Sequence, residues 1–178
     1  IRGYPPGVRE NGGQYSHAAA WLGMAFARQG QSDKAFDIFN MLSPITRTGE
    51  RAGAQHYRVE PFVVAADIAG AEPHLGRGGW TWYTGSAAWA WRLGVEDILG
   101  LRLVEGHLTI APCIPSSWGG YRAIVRGLTG TVSVEVDDPH RLGSGAVELS
   151  IDGIVQTTSR IPFPTGGAET KVIARLTG

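Results

Sequence analysis

At 178 residues, 43% of them hydrophobic, the chain can bury a core and is too apolar to be a disordered segment. Its 16 basic and 16 acidic residues cancel, which argues against a dedicated nucleic-acid surface, since such surfaces carry a basic excess. A single cysteine, Cys113, excludes an internal disulfide, and no apolar run reaches the roughly eighteen residues of a membrane-spanning helix.

The sequence opens Ile1-Arg2-Gly3-Tyr4-Pro5-Pro6-Gly7, without Met, and reads as a piece of something longer. Residues 1–13 are expected to form a loop, with Gly12-Gly13 free to bring backbone close to a ligand. A helix is predicted over 14–29 and stops at Gly30. Tyr15, Ala18, Ala19, Leu22 and Phe26 mark its apolar stripe, but Trp21, Met24 and Ala25 fill other sides, so protein should surround it. A second helix over 33–42, capped by Ser32, is amphipathic: Ala35, Ile38, Phe39 and Leu42 face in, Asp33, Lys34 and Asp37 out.

Residues 43–59 read as a long loop. Glu60-Pro61 is read as the start of a third helix running to Gly70, with Pro suited to the first turn. Residues 71–83 then return across the surface. Thirteen extended residues span roughly 40 Å, enough to run back along a ten-residue helix of about 15 Å. A fourth helix is predicted from Ser86 to Leu99, with a break at Gly94. At Gly100 the period changes from 3.6 to 2. Leu101–Leu103 and Leu108–Ile110 flank Glu105-Gly106, a hairpin signal, and strands follow near 121–126, 131–136, 147–151 and 172–176. The predicted fold is therefore α+β: helices in residues 1–99, and an antiparallel β-sandwich with its own core in residues 100–178.

Two stretches carry chemistry. Gly79-Trp80-Thr81-Trp82-Tyr83-Thr84-Gly85-Ser86 joins a glycine-rich approach, an aromatic wall and a helix start, where unpaired N–H groups at Thr84 and Gly85 can hold an oxyanion. Glu10-Asn11-Gly12-Gly13-Gln14-Tyr15-Ser16-His17 puts a histidine in the first turn of another helix. Each has a plainer reading, an ordinary N-cap in one case and a structural histidine in the other. Two such termini together would build an anion pocket from a ring donor, a hydroxyl and backbone amides. Gly76-Arg77-Gly78-Gly79 is not a P-loop, because no Gly-Lys-Ser/Thr follows. The five histidines have no metal-ligand spacing, so no metal site is expected, and no G-x-S-x-G elbow occurs.

Four segments in order resemble the C-terminal motifs of glycoside hydrolase family 94. They are Arg9–His17, Tyr57-Arg58-Val59-Glu60-Pro61-Phe62, Gly79–Ala87 and Ile110-Ala111-Pro112-Cys113-Ile114-Pro115. That family contains the inverting cellobiose and chitobiose phosphorylases and the last domain of cyclic β-1,2-glucan synthases, and Pro5–Gly13 leans toward the synthases.

The resemblance implies the last helices of an (α/α)₆ barrel followed by a β-sandwich. It implies that His17, Thr84 and Gly85 hold inorganic phosphate, which is co-substrate, with no other cofactor. Glu10 and Trp82 would lie beside the sugar. An inverting glycosidase needs an acid and a base carboxylate, whereas an inverting phosphorylase needs only the acid, because phosphate attacks the anomeric carbon itself. The family's acid is an Asp on an earlier part of the barrel with no matching segment here. No residue of this chain is therefore expected to be catalytic, and the chain alone should be inert. Its partners would be a β-glucan or β-glucoside, phosphate, the rest of the barrel, and further copies of itself. The setting would be the cytoplasm, with the parent either free or membrane-associated. The competing reading is a non-catalytic carbohydrate-binding or structural module.

Overall fold

The computed structural model describes residues 3–82 and 84–177, with Thr84 described through its backbone alone. The fold is α+β, and the chain divides into two units: residues 1–25 with 34–94, and residues 26–33 with 95–178.

In the first unit the N-terminal loop holds a single 3₁₀ turn, Arg9–Asn11, and then a two-residue strand β1, Gln14–Tyr15. Helix α1 (Ser16–Arg28) therefore starts two residues later than the apolar pattern suggests. Those two residues pair instead with β2 (Asp67–Ile68), and the Ser16 N–H donates to the Ala66 carbonyl at 2.9 Å. Helix α2 (Ser32–Leu42) includes Ser32 as its first residue. Gly23 of α1 is sterically required: a Cβ there would stand 2.7 Å from Leu93 and 3.1 Å from Ile38.

The predicted loop 43–59 contains two short helices, α3 (Pro44–Thr48) and α4 (Arg51–Tyr57). Pro44 opens α3, and Arg58 closes α4 in the left-handed region at φ 54°, its N–H bonded to the Ala54 carbonyl.

The predicted helix over 60–70 does not form. After a turn in which the Val63 N–H meets the Glu60 carbonyl, no helix follows: Val63, Ala65, Ala66 and Asp67 are buried, and Asp67–Ile68 form the short strand β2. Short apolar runs of this kind do not distinguish helix from strand, and here β1 and β3 (Gly78–Gly79) take up its backbone groups on either side. Tyr57, Val59, Val63 and Ala65 form a small core beneath this three-stranded sheet, with Ile68 against it. Helix α5 (Thr84–Trp91) runs on through a π-helical segment, Arg92–Ile98. The expected break at Gly94 is thus a widening of the helix, and Phe39 packs where a Cβ on Gly94 would stand, 3.0 Å away.

In the second unit β4 (Leu101–Val104) and β5 (His107–Ile110) form the expected hairpin. Glu105 and Gly106 both have positive φ, as a tight two-residue turn demands. β10 (Ile161–Pro162) adds to β5. A second sheet has the order β6 (Gly120–Arg126), β7 (Thr131–Asp137), β11 (Glu169–Thr177), β8 (Ala146–Ile151), β9 (Ile154–Val155). It is mixed rather than wholly antiparallel, because the last strand inserts between β7 and β8 and runs parallel to β7. Leu101, Leu108, Ile110 and Ile161 from one sheet share a core with Val132, Val134, Val136, Leu149, Val172 and Ala174 from the other. The buried Asp138 carboxylate accepts the Leu142 and Gly143 N–H groups and closes the chain between β7 and β8.

Candidate functional site

The small sheet gathers the motif-bearing loops of the first unit. Asp67 is central to this. It lies on the middle strand β2, 3% exposed, and its Oδ2 accepts the Arg9 N–H at 2.9 Å. That bond secures the 3₁₀ turn carrying Glu10, which is itself exposed. Gly79 on β3 stands beside the same carboxylate, where a Cβ would be 3.1 Å from Oδ1. The Arg9 guanidinium lies 4.1 Å from the Trp80 ring centroid and 5.8 Å from that of Tyr15. Asp67 was not among the residues the sequence singled out. Its signal was a lone carboxylate in the apolar run Val63–Ile68, which is costly to bury without a donor.

His17 occupies the second position of α1 and is half-buried. Its ring is boxed by aromatics. Trp21, one turn along the same helix, meets it edge-on at 4.5 Å, and Trp89 of α5 stacks on it at 5.5 Å with planes 18° apart. Trp21 and Trp89 also meet edge to face at 5.3 Å, and the Tyr15 ring stands 6.0 Å from His17. Within this box the His17 Nε2 is buried and has no hydrogen-bond partner among the described residues. A buried ring nitrogen without a partner is costly unless something else satisfies it.

Trp89 sits five residues into α5, whose first residues are Thr84 and Gly85, so the His17 ring is coupled to that helix. Gly85 is exposed, and apart from its chain neighbours no described residue comes within 4 Å of where its Cβ would be. Neither packing nor a positive φ calls for glycine there. The Thr84 side chain, expected to share an anion with the His17 ring, lies outside the described residues, as does Tyr83. Trp82 is 68% exposed and turns elsewhere: its indole N–H donates to Glu60 at 3.2 Å, and its ring meets that of Phe62 at 6.1 Å.

Residues 1–100 match the family described as the glycosyl hydrolase 94 superfamily, catalytic domain. The chain belongs to glycosyl hydrolase family 94. Within that family it is 55% identical over 157 residues to the cyclic beta-(1,2)-glucan synthase NdvB of Rhizobium meliloti (strain 1021), covering 87% of this chain and 5% of that protein. It is 29% identical over 172 residues to the N,N'-diacetylchitobiose phosphorylase of Vibrio furnissii, covering 96% of this chain and 21% of that one. The solabiose phosphorylase of Paenibacillus borealis is 28% identical over 156 residues, 86% of this chain and 20% of its own length. The chain thus spans about a fifth or less of the family-94 relatives it matches. No helix among the described residues is long and apolar enough to cross a membrane.

Proposed function

We propose that this chain supplies the phosphate-holding side of an inverting phosphorolysis site in a β-glucan phosphorylase or cyclic β-1,2-glucan synthase. Residues 1–99 form the last helices of an (α/α)₆ barrel and residues 100–178 its C-terminal β-sandwich. His17, Thr84 and Gly85 hold inorganic phosphate, while Glu10 and Trp82 stand beside the sugar.

The observation that carries this reading is the stacking of His17 on Trp89, which ties the first turn of α1 to the helix opening at Thr84-Gly85. Two further features support it. The His17 Nε2, without a partner among the described residues, can donate to or accept from a ligand, and the open space over Gly85 leaves its backbone N–H approachable. Phosphate held there attacks the anomeric carbon, and the leaving sugar takes its proton from an Asp that the family carries on a preceding barrel segment. The chain alone then binds phosphate without turnover, and acts with the rest of that barrel on a β-glucan or β-glucoside. The phosphate-rich cytoplasm suits this chemistry.

Titration of the 178-residue chain with inorganic phosphate, followed by phosphorus NMR, tests the assignment. Binding should be weakened about tenfold or more by His17→Ala and by Thr84→Val, one charge-assisted or neutral hydrogen bond each. Unchanged binding in both variants would overturn it.

A further inference from the structure

Asp67 has two carboxylate oxygens, and the fold uses one of them. Its Oδ2 holds the Arg9 N–H at 2.9 Å, whereas Oδ1 has no hydrogen-bond partner among the described residues. The residue is only 3% exposed, yet Oδ1 keeps some solvent access. Asp67 lines a cavity of about 220 Å³, together with His74, Arg77, Gly79 and Trp80. Gly79 keeps the carboxylate open to it. A Cβ there would stand 3.1 Å from Oδ1, closer than ordinary van der Waals contact.

The other walls carry the opposite charge. His74 and Arg77 are exposed, and neither side chain makes a hydrogen bond or ion pair among the described residues. An acid and two basic groups thus share one space without pairing across it. The Arg9 guanidinium, 4.1 Å from the centroid of the Trp80 ring, adds a further positive charge nearby. Groups able to pair but held apart over a void are complementary to a molecule that spans them. The excess of positive charge calls for an anion, and the buried Oδ1 calls for a donor on that same anion. At about 30 Å³ for each water-sized atom, the cavity has room for roughly seven heavy atoms.

We propose that this cavity binds a small hydroxy acid. Arg77 takes the planar carboxylate in its guanidinium fork, His74 donates to the same group, and Asp67 Oδ1 accepts the hydroxyl. The site shares no residue with His17, Thr84 and Gly85, and so stands apart from the phosphate assignment. Its occupant also bears on the N-terminal loop, because Oδ2 of the same carboxylate secures the turn that carries Glu10.

The test titrates the 178-residue chain with glycerate, followed by calorimetry and proton NMR. Parallel titrations use propionate, which lacks the hydroxyls, and glycerol, which lacks the charge. Glycerate should bind with a dissociation constant on the order of 1 mM, as a ligand of that size allows, and should shift the His74 ring protons. Propionate and glycerol should each bind about tenfold more weakly, through loss of one charge-assisted or neutral hydrogen bond. Arg77→Gln removes the fork and Gly79→Ala crowds Oδ1, so each should weaken glycerate about tenfold. The Arg77 side chain is exposed, and circular dichroism of that variant should match the parent. His17→Ala and Thr84→Val should leave glycerate binding unchanged, which separates this site from the phosphate one. A parent chain that ignores glycerate at about 20 mM overturns the proposal. So does equal affinity for glycerate and propionate, or full glycerate affinity in both Arg77→Gln and Gly79→Ala.

Discussion

His17 and Trp89, seventy-two residues apart in sequence, stack with their rings 18° from parallel and 5.5 Å between centroids. The contact joins the first turn of one helix to the second turn of another. It therefore sets both where the imidazole points and how α5 is placed against it. Ring currents from Trp89 and Trp21 should shift the His17 ring protons in proton NMR. Trp89→Leu keeps an apolar side chain but removes the stack. It should return those protons toward ordinary positions and cost about 1 kcal/mol of stability. Unshifted His17 protons in the parent chain would contradict the packing.

Gly85 separates structural from ligand-driven demand. Apart from its chain neighbours, no described residue occupies the space beside it, and alanine is the better helix former by about 0.5–1 kcal/mol. Gly85→Ala should therefore leave the melting temperature unchanged or raise it. If phosphate approaches the backbone there, the added methyl should weaken phosphate binding about tenfold. A calorimetric titration beside a thermal melt reads both. Full phosphate affinity in this variant would remove Gly85 from the site.

Asp67 offers a check on how the N-terminal turn is held. Asp67→Ala leaves the part-buried Arg9 N–H without this acceptor, at a cost of about 1 kcal/mol. Asp67→Asn keeps an acceptor oxygen and should cost less. Hydrogen exchange at the Arg9 amide should accelerate in the alanine variant and remain slow in the asparagine one. Equal exchange in all three chains would show that the bond does not secure the turn.

The strand-rich residues were the most legible part of the sequence, because alternation at Val132, Val134 and Val136 and turns at Glu105-Gly106 and Asp152-Gly153 are local signals. Pairing β11 between β7 and β8 is a long-range choice with no local mark. The segment after Glu60-Pro61 misled for a related reason. Pro in a first helical turn and a run of apolar residues fit a helix, but β1 and β3 supplied strand partners from elsewhere in the chain. Motif order singled out the His17 and Gly85 stretches, and the structure joins their two helices through the rings of His17 and Trp89. Asp67 stayed hidden because a buried carboxylate is recognised only through its donor, and that donor lies fifty-eight residues away.

Cys113 lies 4% exposed, and burial, with the Asp97 charge nearby, raises its thiol pKa from 9.0 to about 11. Burial likewise raises the pKa of Tyr57 and of Tyr121, whose hydroxyl donates to the Leu99 carbonyl. A group raised on folding releases its proton first in the unfolded chain. The stability it confers is thus complete below the unfolded value and is lost as pH climbs through the folded one. Urea midpoints should be flat up to pH about 9 and fall between about 9 and 11. A thiol-directed disulfide reagent at pH about 8 should label Cys113 only once urea unfolds the chain. Rapid labelling of the native chain would refute the burial, and a midpoint that holds to pH about 11 would refute the linkage.

The first unit carries large apolar side chains that water touches. Trp21 and Leu22 on α1 are each about half exposed, Met41 on α2 is 54% exposed and Trp91 on α5 is 58% exposed. Leu22 and Met41 line a cleft of about 640 Å³, walled also by Ala19, Ile38 and Leu42. Monomeric proteins seldom leave contiguous apolar patches of more than a few hundred Å² uncovered. At about 25 cal/mol per Å², covering 400 Å² or so is worth on the order of 10 kcal/mol, comparable to the stability of a whole domain. In the proposed barrel, neighbouring helices would cover these faces; for the 178-residue chain by itself, the expectation is that other copies do so. Light scattering at micromolar concentration should therefore give a mass well above the 19.0 kDa of one chain. The double variant Leu22→Gln with Met41→Gln should shift that mass back toward the monomer without altering the β-rich unit's circular dichroism. A parent chain that remains a folded monomer under those conditions would show that these faces tolerate water.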